Sequence, residues 1–355
     1  MADYKIAVIR GDGIGVDVVE EGLKVLKSVG ASHGINWTFE EFPWGSEYYF
    51  KHGEMLPGDG VDQLAGFDAI FLGAVGHPDI QDHITLNGLL LPIRRKFDQY
   101  VCERPSILYP GVESPLANKK PYDIDLVVVR ENTEGEYANV GGFQYRGFPE
   151  EVAIQTSVFT RRGCERVIEY AFDLARRRGK KNKVTSITKS NAQGYGMVLW
   201  DRTFDIVKER YPDIETESYL IDRACMEFIR RPESFDVVVA SNLFGDILTD
   251  IGAQITGSMG LAQSANLDPT KKSPSMFEPT HGSAPDIAGK GIANPMAQVL
   301  TGAMMLRHLG EEAAADKVDR AVLTILEQGE ILTPDLGGSS TTSSVGDAIA
   351  SAVAG

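Results

Sequence analysis

Asp246 and Asp250 stand four residues apart in the stretch Ser241-Asn242-Leu243-Phe244-Gly245-Asp246-Ile247-Leu248-Thr249-Asp250, which follows an apolar run ending at Ala240. On a helix they would share one face, and like charges at that spacing are mildly destabilising. Complementing the helix dipole would account for Asp246 in the first turn better than for Asp250, which lies deeper. A hard cation held by both carboxylates removes the conflict. Mg2+ and Mn2+ prefer oxygen ligands and often share their shell with a small molecule. Asp222, at the junction of the strand-like segment Ser218–Ile221 and a helix, is a third candidate ligand.

The basic residues suggest an anion. Arg94, Arg95, Lys96 and Arg104 cluster in a chain with 35 basic and 50 acidic residues and a net charge of −15. Arg130 ends the apolar run Val127-Val128-Val129 and leads into Glu131-Asn132-Thr133-Glu134-Gly135-Glu136-Tyr137. Guanidinium forks match carboxylates bidentately, so a dicarboxylate would use two or three of them. A single arginine is more often part of a surface ion pair. Arg130 is better placed, at a strand end of the kind where α/β proteins gather ligands. The acidic balance argues against nucleic acid or an anionic membrane as the main partner. No apolar run approaches the roughly 18 residues needed to span a bilayer. Cys102, Cys164 and Cys225 show no CxxC spacing and no even disulfide framework, and the start MADYKIAVIR has no signal-peptide pattern. A reduced, cytoplasmic setting is expected.

Strand-like and helix-like segments alternate, as in an α/β protein with a buried sheet. Strands are expected at Lys5–Arg10, Ala69–Leu72, Asp125–Val129, Val152–Val158, Lys183–Ile187 and Asp236–Ala240. Helices are expected at Val16–Val29, Arg161–Arg178, Met197–Arg210, Pro295–His308 and Glu311–Gln328. The length suits two domains or one large α/β unit. The absence of a Pro/Gly/Ser linker suggests domains that share the chain discontinuously. Gly11-Asp12-Gly13-Ile14-Gly15 follows the first strand, but the GxGxxG fingerprint needs glycine where Val16 stands, and Asp12 would repel a pyrophosphate. A tight strand-to-helix turn, or a loop edging an active site, is expected instead of a Rossmann site.

Taken in order, GDGIG (11–15), RENTEGEY (130–137), TKSN (188–191), SNLFGDILTD (241–250) and EPTHGSAPDIAGKGIANP (278–295) resemble the isocitrate/isopropylmalate dehydrogenase family over nearly the whole chain. Together with LPIRRKFDQY (91–100), RENTEGEY is most similar to the tartrate dehydrogenase/D-malate dehydrogenase (decarboxylating) branch. The resemblance implies a two-domain fold that is not a Rossmann fold. Residues 1–100 and 256–355 would form a cofactor-side domain, and 101–255 a central domain carrying the interface of a homodimer with shared active sites.

It also implies roles. Arg94, Arg104 and Arg130 would hold substrate carboxylates, with Asn87 and Leu90 near the substrate. Tyr137 would protonate the substrate after CO2 leaves, and Lys189 would help remove the 2-hydroxyl proton. Asp222, Asp246 and Asp250 would ligate Mg2+ or Mn2+, with Lys189 and Asp222 reaching the partner's site; K+ is left open. His281, Gly282, Ala284, Asp286, Ile287, Asn294 and Asn191 would contact the dinucleotide. Asp286 can accept from both ribose hydroxyls and repels a 2′-phosphate, so NAD is expected rather than NADP. The expected reaction is oxidation of a small 2-hydroxy dicarboxylate with loss of CO2. D-malate or tartrate comes first. A 3-alkylmalate such as 3-isopropylmalate is the alternative, followed by isocitrate or homoisocitrate, or a non-catalytic regulatory paralogue. Thr85–Arg94 departs from the tartrate/D-malate pattern, which tends to carry Trp at the position of Asn87 and Ser at that of Leu89.

Overall fold

The structure, a computed structural model, describes residues 2–355. Its strands, in chain order, are β1 (Ala2–Gly11), β2 (Ile35–Glu41), β3 (Ala69–Ala74), β4 (Val101–Ile107), β5 (Asp125–Glu131), β6 (Gly135–Gln144), β7 (Val152–Val158), β8 (Lys183–Thr188), β9 (Glu215–Leu220), β10 (Val237–Ala240), β11 (Ala265–Leu267) and β12 (Ser275–Phe277). The chain divides into two compact units. One comprises residues 2–99, Arg104–Ile124 and Gly252–Gly355; the other comprises Tyr100–Glu103 and Asp125–Ile251. The segment Arg104–Ile124, placed in the central domain by the sequence reading, therefore goes with the chain ends.

In the unit of the chain ends, strands run in the order β2-β1-β3-β12-β11. All pairs are parallel except β11 with β12, and the late strand β12 aligns Ser275 with Ala69 of β3. Every residue of β3 is buried, as expected for a parallel strand covered on both faces. The helix Ile14–His33 covers this sheet with Val18, Val19, Leu23, Val25, Leu26 and Val29 buried, and packs against the helices Met296–Leu309 and Thr342–Ala354. Gly34, in the left-handed region at φ 70°, ends it.

In the central unit the order is β5-β10-β8-β9, all parallel. Every residue of β5 and β10 is buried, which the Val-rich runs lead one to expect. Helix Arg161–Arg178 packs on this sheet, and Thr160 caps its first turn by accepting from Gly163 N–H. β6 and β7 form a separate antiparallel two-stranded sheet. In both units the chain leaves the parallel strands into the loops and helices that carry the sequence motifs.

Among the described residues no helix is long and apolar enough to cross a membrane. Cys164 and Cys225 are free thiols.

Candidate active site

In the central unit, Arg130 is brought to the carboxyl end of β5 and is 3% exposed. β10 lies beside it, and the helix Asn242–Ile255 starts two residues after β10 ends. That helix approaches Arg130 closely because residue 245 is glycine: a Cβ there would lie 2.6 Å from Arg130 Cβ and 2.7 Å from its Cγ. Arg130 donates through Nε and Nη2 to Asn242 Oδ1, at 3.0 and 2.7 Å, and its Nη1 pairs with Asp246. Tyr137, on β6, donates its hydroxyl to the other Asp246 oxygen at 2.9 Å, and the guanidinium lies 5.2 Å from its ring centroid. Thus Arg130, Tyr137 and Asp246 meet at one point. Asp250 follows one turn later on the helical face that carries Asp246.

Three glutamates of RENTEGEY hold this corner together. Glu131 accepts from Thr133 N–H and hydroxyl and from Glu134 N–H, each at 2.9 Å. Burial pushes its carboxyl up to about 7, against the lowering effect of those donors. Glu134 accepts from Thr160 N–H and hydroxyl, at 2.8 Å each, at the start of helix Arg161–Arg178. Glu136 accepts from Ser241 hydroxyl at 2.9 Å and Leu243 N–H at 3.2 Å, which binds the start of helix Asn242–Ile255.

Lys189 follows β8, and Asp222 opens the helix Ile221–Arg230 after β9. The parallel β8–β9 pairing brings their ends together, and Lys189 Nζ lies 2.5 Å from Asp222 Oδ1. The ammonium holds the Asp222 carboxyl below the usual carboxylate range. Among the described residues no three His, Cys, Asp or Glu side chains form a group able to hold a metal ion, so Asp222 does not join Asp246 and Asp250 in one group. Asn191 is exposed in the turn after Lys189.

In the unit of the chain ends, Arg94 is 3% exposed on helix Leu91–Lys96 and donates through Nη2 to Glu278 Oε1 at 2.6 Å. Asn266 donates to the same oxygen at 2.8 Å. Buried Arg94 Nε has no hydrogen-bond partner. Arg104 is buried on β4. Asn87 lies in a π-helical stretch, Leu86–Leu90, a rare geometry that recurs at functional sites. Its Nδ2 donates to the His83 carbonyl at 2.7 Å, while its buried Oδ1 has no partner. Leu90 packs against the apolar cluster that includes Met55, Leu89 and Ile93.

The same unit contains a cleft of about 680 Å³ between Val75–Asp82 and Gly282–Pro285. The GDGIG loop joins its two walls. Asp12 accepts from Gly76 N–H at 2.8 Å and from Ser46 N–H and hydroxyl at 2.7 and 2.6 Å; Ile14 N–H donates to Ser283 O at 2.8 Å. A Cβ on Gly13 would lie 2.0 Å from that same carbonyl oxygen, so the close approach requires glycine. Gly282 and Ala284 line the cleft. His281 Nδ1 lies 3.0 Å from Gly282 O, its buried Nε2 has no partner, and burial lowers its pKa. Asp286 is exposed, and Ile287 packs with Ala284 on Ile14 and Val18. Asn294 is satisfied internally, donating to Asp335 and accepting from Met296 N–H, each at 3.0 Å.

Sequence reasoning missed Asn242, Glu278 and the three glutamates as organisers. Asn242 carried a signal, being a polar residue immediately after a buried strand and before a helix. Glu278 carried none, because its partners Arg94 and Asn266 are known only once the chain is folded.

The sequence matches the family model described as isocitrate/isopropylmalate dehydrogenase over residues 5–349. It is 51% identical over 356 residues to a probable tartrate dehydrogenase/decarboxylase of Agrobacterium vitis, covering 100% of this chain and 99% of that protein. It is also 51% identical over 356 residues to the D-malate dehydrogenase [decarboxylating] of Escherichia coli (strain K12), covering 98% of each. A crystal structure of isocitrate dehydrogenase from Methylococcus capsulatus superposes with a TM-score of 0.88 at 37% identity, covering 99% of this chain and all of that one. The chain belongs to the isocitrate/isopropylmalate dehydrogenase family and is a dehydrogenase.

Proposed function

We propose that this enzyme oxidises a small 2-hydroxy dicarboxylate with loss of CO2, using NAD and a divalent cation, and that its substrate is D-malate or tartrate. The observation that carries the reading is the meeting of Arg130, Tyr137 and Asp246: a guanidinium suited to an anion, a phenol and a carboxylate suited to a cation, within hydrogen-bond reach. The names of the two relatives at 51% identity support decarboxylation and the substrate.

The residues fit both groups. Asp246 and Asp250 offer hard oxygen donors from one helical face, suited to Mg2+ or Mn2+. The partnerless Nε2 of His281 and the adjoining cleft suit a dinucleotide, and exposed Asp286 suits free ribose hydroxyls. When bound, NAD would accept the hydride and the cation would act as a Lewis acid. Arg94, Arg104 and Arg130 bind and orient the carboxylates. Lys189 takes the proton from the 2-hydroxyl, and Tyr137 delivers one to C3.

A homodimer belongs to this proposal, with Lys189 and Asp222 serving the partner's site and completing the cation's carboxylate set. The β6–β7 sheet supports it. A lone two-stranded sheet is marginal in water, yet this one exposes Val140, Phe143, Val152 and Ile154, with Tyr145 and Phe148 in its connection. A panel of D-malate, tartrate, 3-isopropylmalate and isocitrate with NAD, Mn2+ and K+, following NADH and CO2, tests the function. Highest kcat/KM with an acid other than D-malate or tartrate would replace the substrate, and no NADH from any acid would end the catalytic reading.

A further inference from the structure

Asn242 is 1% exposed, and its amide is oriented by its neighbours. Oδ1 accepts from two Arg130 nitrogens, at 3.0 and 2.7 Å, and Nδ2 donates to the Glu134 carbonyl at 3.3 Å. A guanidinium only donates and a carbonyl only accepts, so the amide cannot be reversed. Asp246 also anchors Arg130 and accepts from Tyr137. These anchors differ in charge. Asp246 offsets the positive charge of Arg130, whereas Asn242 holds two of its nitrogens and offsets nothing. An aspartate of the same shape would make stronger, charge-assisted bonds but would set another carboxylate against the guanidinium, in competition with that of a substrate.

We propose that Asn242 is a positioning residue whose neutral acceptor holds Arg130 oriented toward a substrate carboxylate without adding negative charge beside it, including when Asp246 is engaged by a cation. The proposal rests on the function above for the identity of the anion and the cation. Its own content is that a neutral anchor, independent of Asp246, fixes the Arg130 side chain.

The test uses the full-length protein with the variants Asn242→Asp and Asn242→Ala. The readouts are the Kd of Mn2+ alone, the Kd of D-malate with Mn2+ by calorimetry, and the Arg130 Nε–H resonance in arginine-labelled protein, assigned by its absence in Arg130→Lys. Asn242→Asp should weaken D-malate binding about tenfold or more while tightening Mn2+ several-fold, because the added charge repels one ligand and attracts the other. Asn242→Ala should abolish slow exchange of the Arg130 Nε–H and weaken D-malate several-fold, with Mn2+ affinity unchanged. Wild-type D-malate affinity in Asn242→Asp would overturn the proposal, as would an unaltered Arg130 resonance in Asn242→Ala. Should Asn242→Asp not fold, Asn242→Ser takes its place: loss of the slow-exchanging resonance supports the proposal and its retention overturns it. If the wild type binds no dicarboxylate, the substrate reading fails, and the resonance and Mn2+ measurements still decide the role of Asn242.

Discussion

Lys189 and Tyr137 are both tied to carboxylates, the first to Asp222 and the second to Asp246. Each carboxylate is also a candidate cation ligand, so cation binding would change the surroundings of both proposed proton-transfer groups. Tyr137→Phe should leave Mn2+ and NAD binding near wild type but depress decarboxylation by about 10²–10⁴-fold, while Lys189→Ala should impair hydride transfer on the same scale. Single-turnover NADH formation with CO2 release separates the two, and wild-type turnover in either variant removes that residue from the chemistry. At Asp286, a 2′-phosphate beside a carboxylate should cost about 1–3 kcal/mol, a several-fold to few-hundred-fold preference for NAD in kcat/KM; equal values for NAD and NADP would contradict it. Glu131 predicts a pH dependence of stability. Its folded pKa of about 7 lies above the ordinary value of 4.5, so its contribution is fully present below about pH 4.5 and is lost as pH rises through about 7. From pH 5 to 8 the wild type should therefore lose up to about 3 kcal/mol relative to Glu131→Gln in denaturant unfolding. A pH-independent difference would show that Glu131 titrates normally.

At the scale of elements, the closeness of helix Asn242–Ile255 to β5 is what brings Asp246 to Arg130. Gly245→Ala inserts a methyl against the Arg130 stem; overpacking of that kind costs about 1–3 kcal/mol. The variant should lose thermal stability and at least tenfold in kcat/KM. Unchanged kinetics would mean that the helix can retreat without moving Asp246. The buried parallel strands and the long amphipathic helices were legible in the sequence because both carry strong patterns: Val127–Val129, Val237–Val239 and the 161–178 helix are examples. β11 and β12 are three residues each, too short for any periodicity. The helix Thr342–Ala354 is rich in Ser and Ala and shows only a weak apolar stripe. The π-helical turn at Leu86–Leu90 has no sequence signature, so the environment of Asn87 and Leu90 could not be derived. In the candidate site, chemistry-bearing residues were legible from their types and order. The groups that hold them were not, because Glu134 and Glu136 find their partners at Thr160 and Ser241, far along the chain.

At the scale of the molecule, the proposed sharing of sites between subunits makes a direct prediction. Mixing Tyr137→Phe and Lys189→Ala proteins, with subunit exchange demonstrated, should restore activity. One site of each hybrid then carries both lesions and the other neither. No recovery despite exchange would place both residues in the same subunit's site. Activity should also fall on dilution below the dimer dissociation constant. The pairing of β12 with β3 bears on how the protein is made. Ala69 of β3 meets its partner Ser275 only after about two hundred further residues have been synthesised. At a ribosomal pace of 5–20 residues per second, the β3 edge stays open for about 10–40 s. The continuous central segment, Asp125–Ile251, emerges within that interval and can complete its own parallel sheet first. The nascent chain thus carries a finished insert between two halves of an unfinished unit, with a fully apolar strand edge exposed to chaperones and to neighbouring nascent chains until β12 has been made.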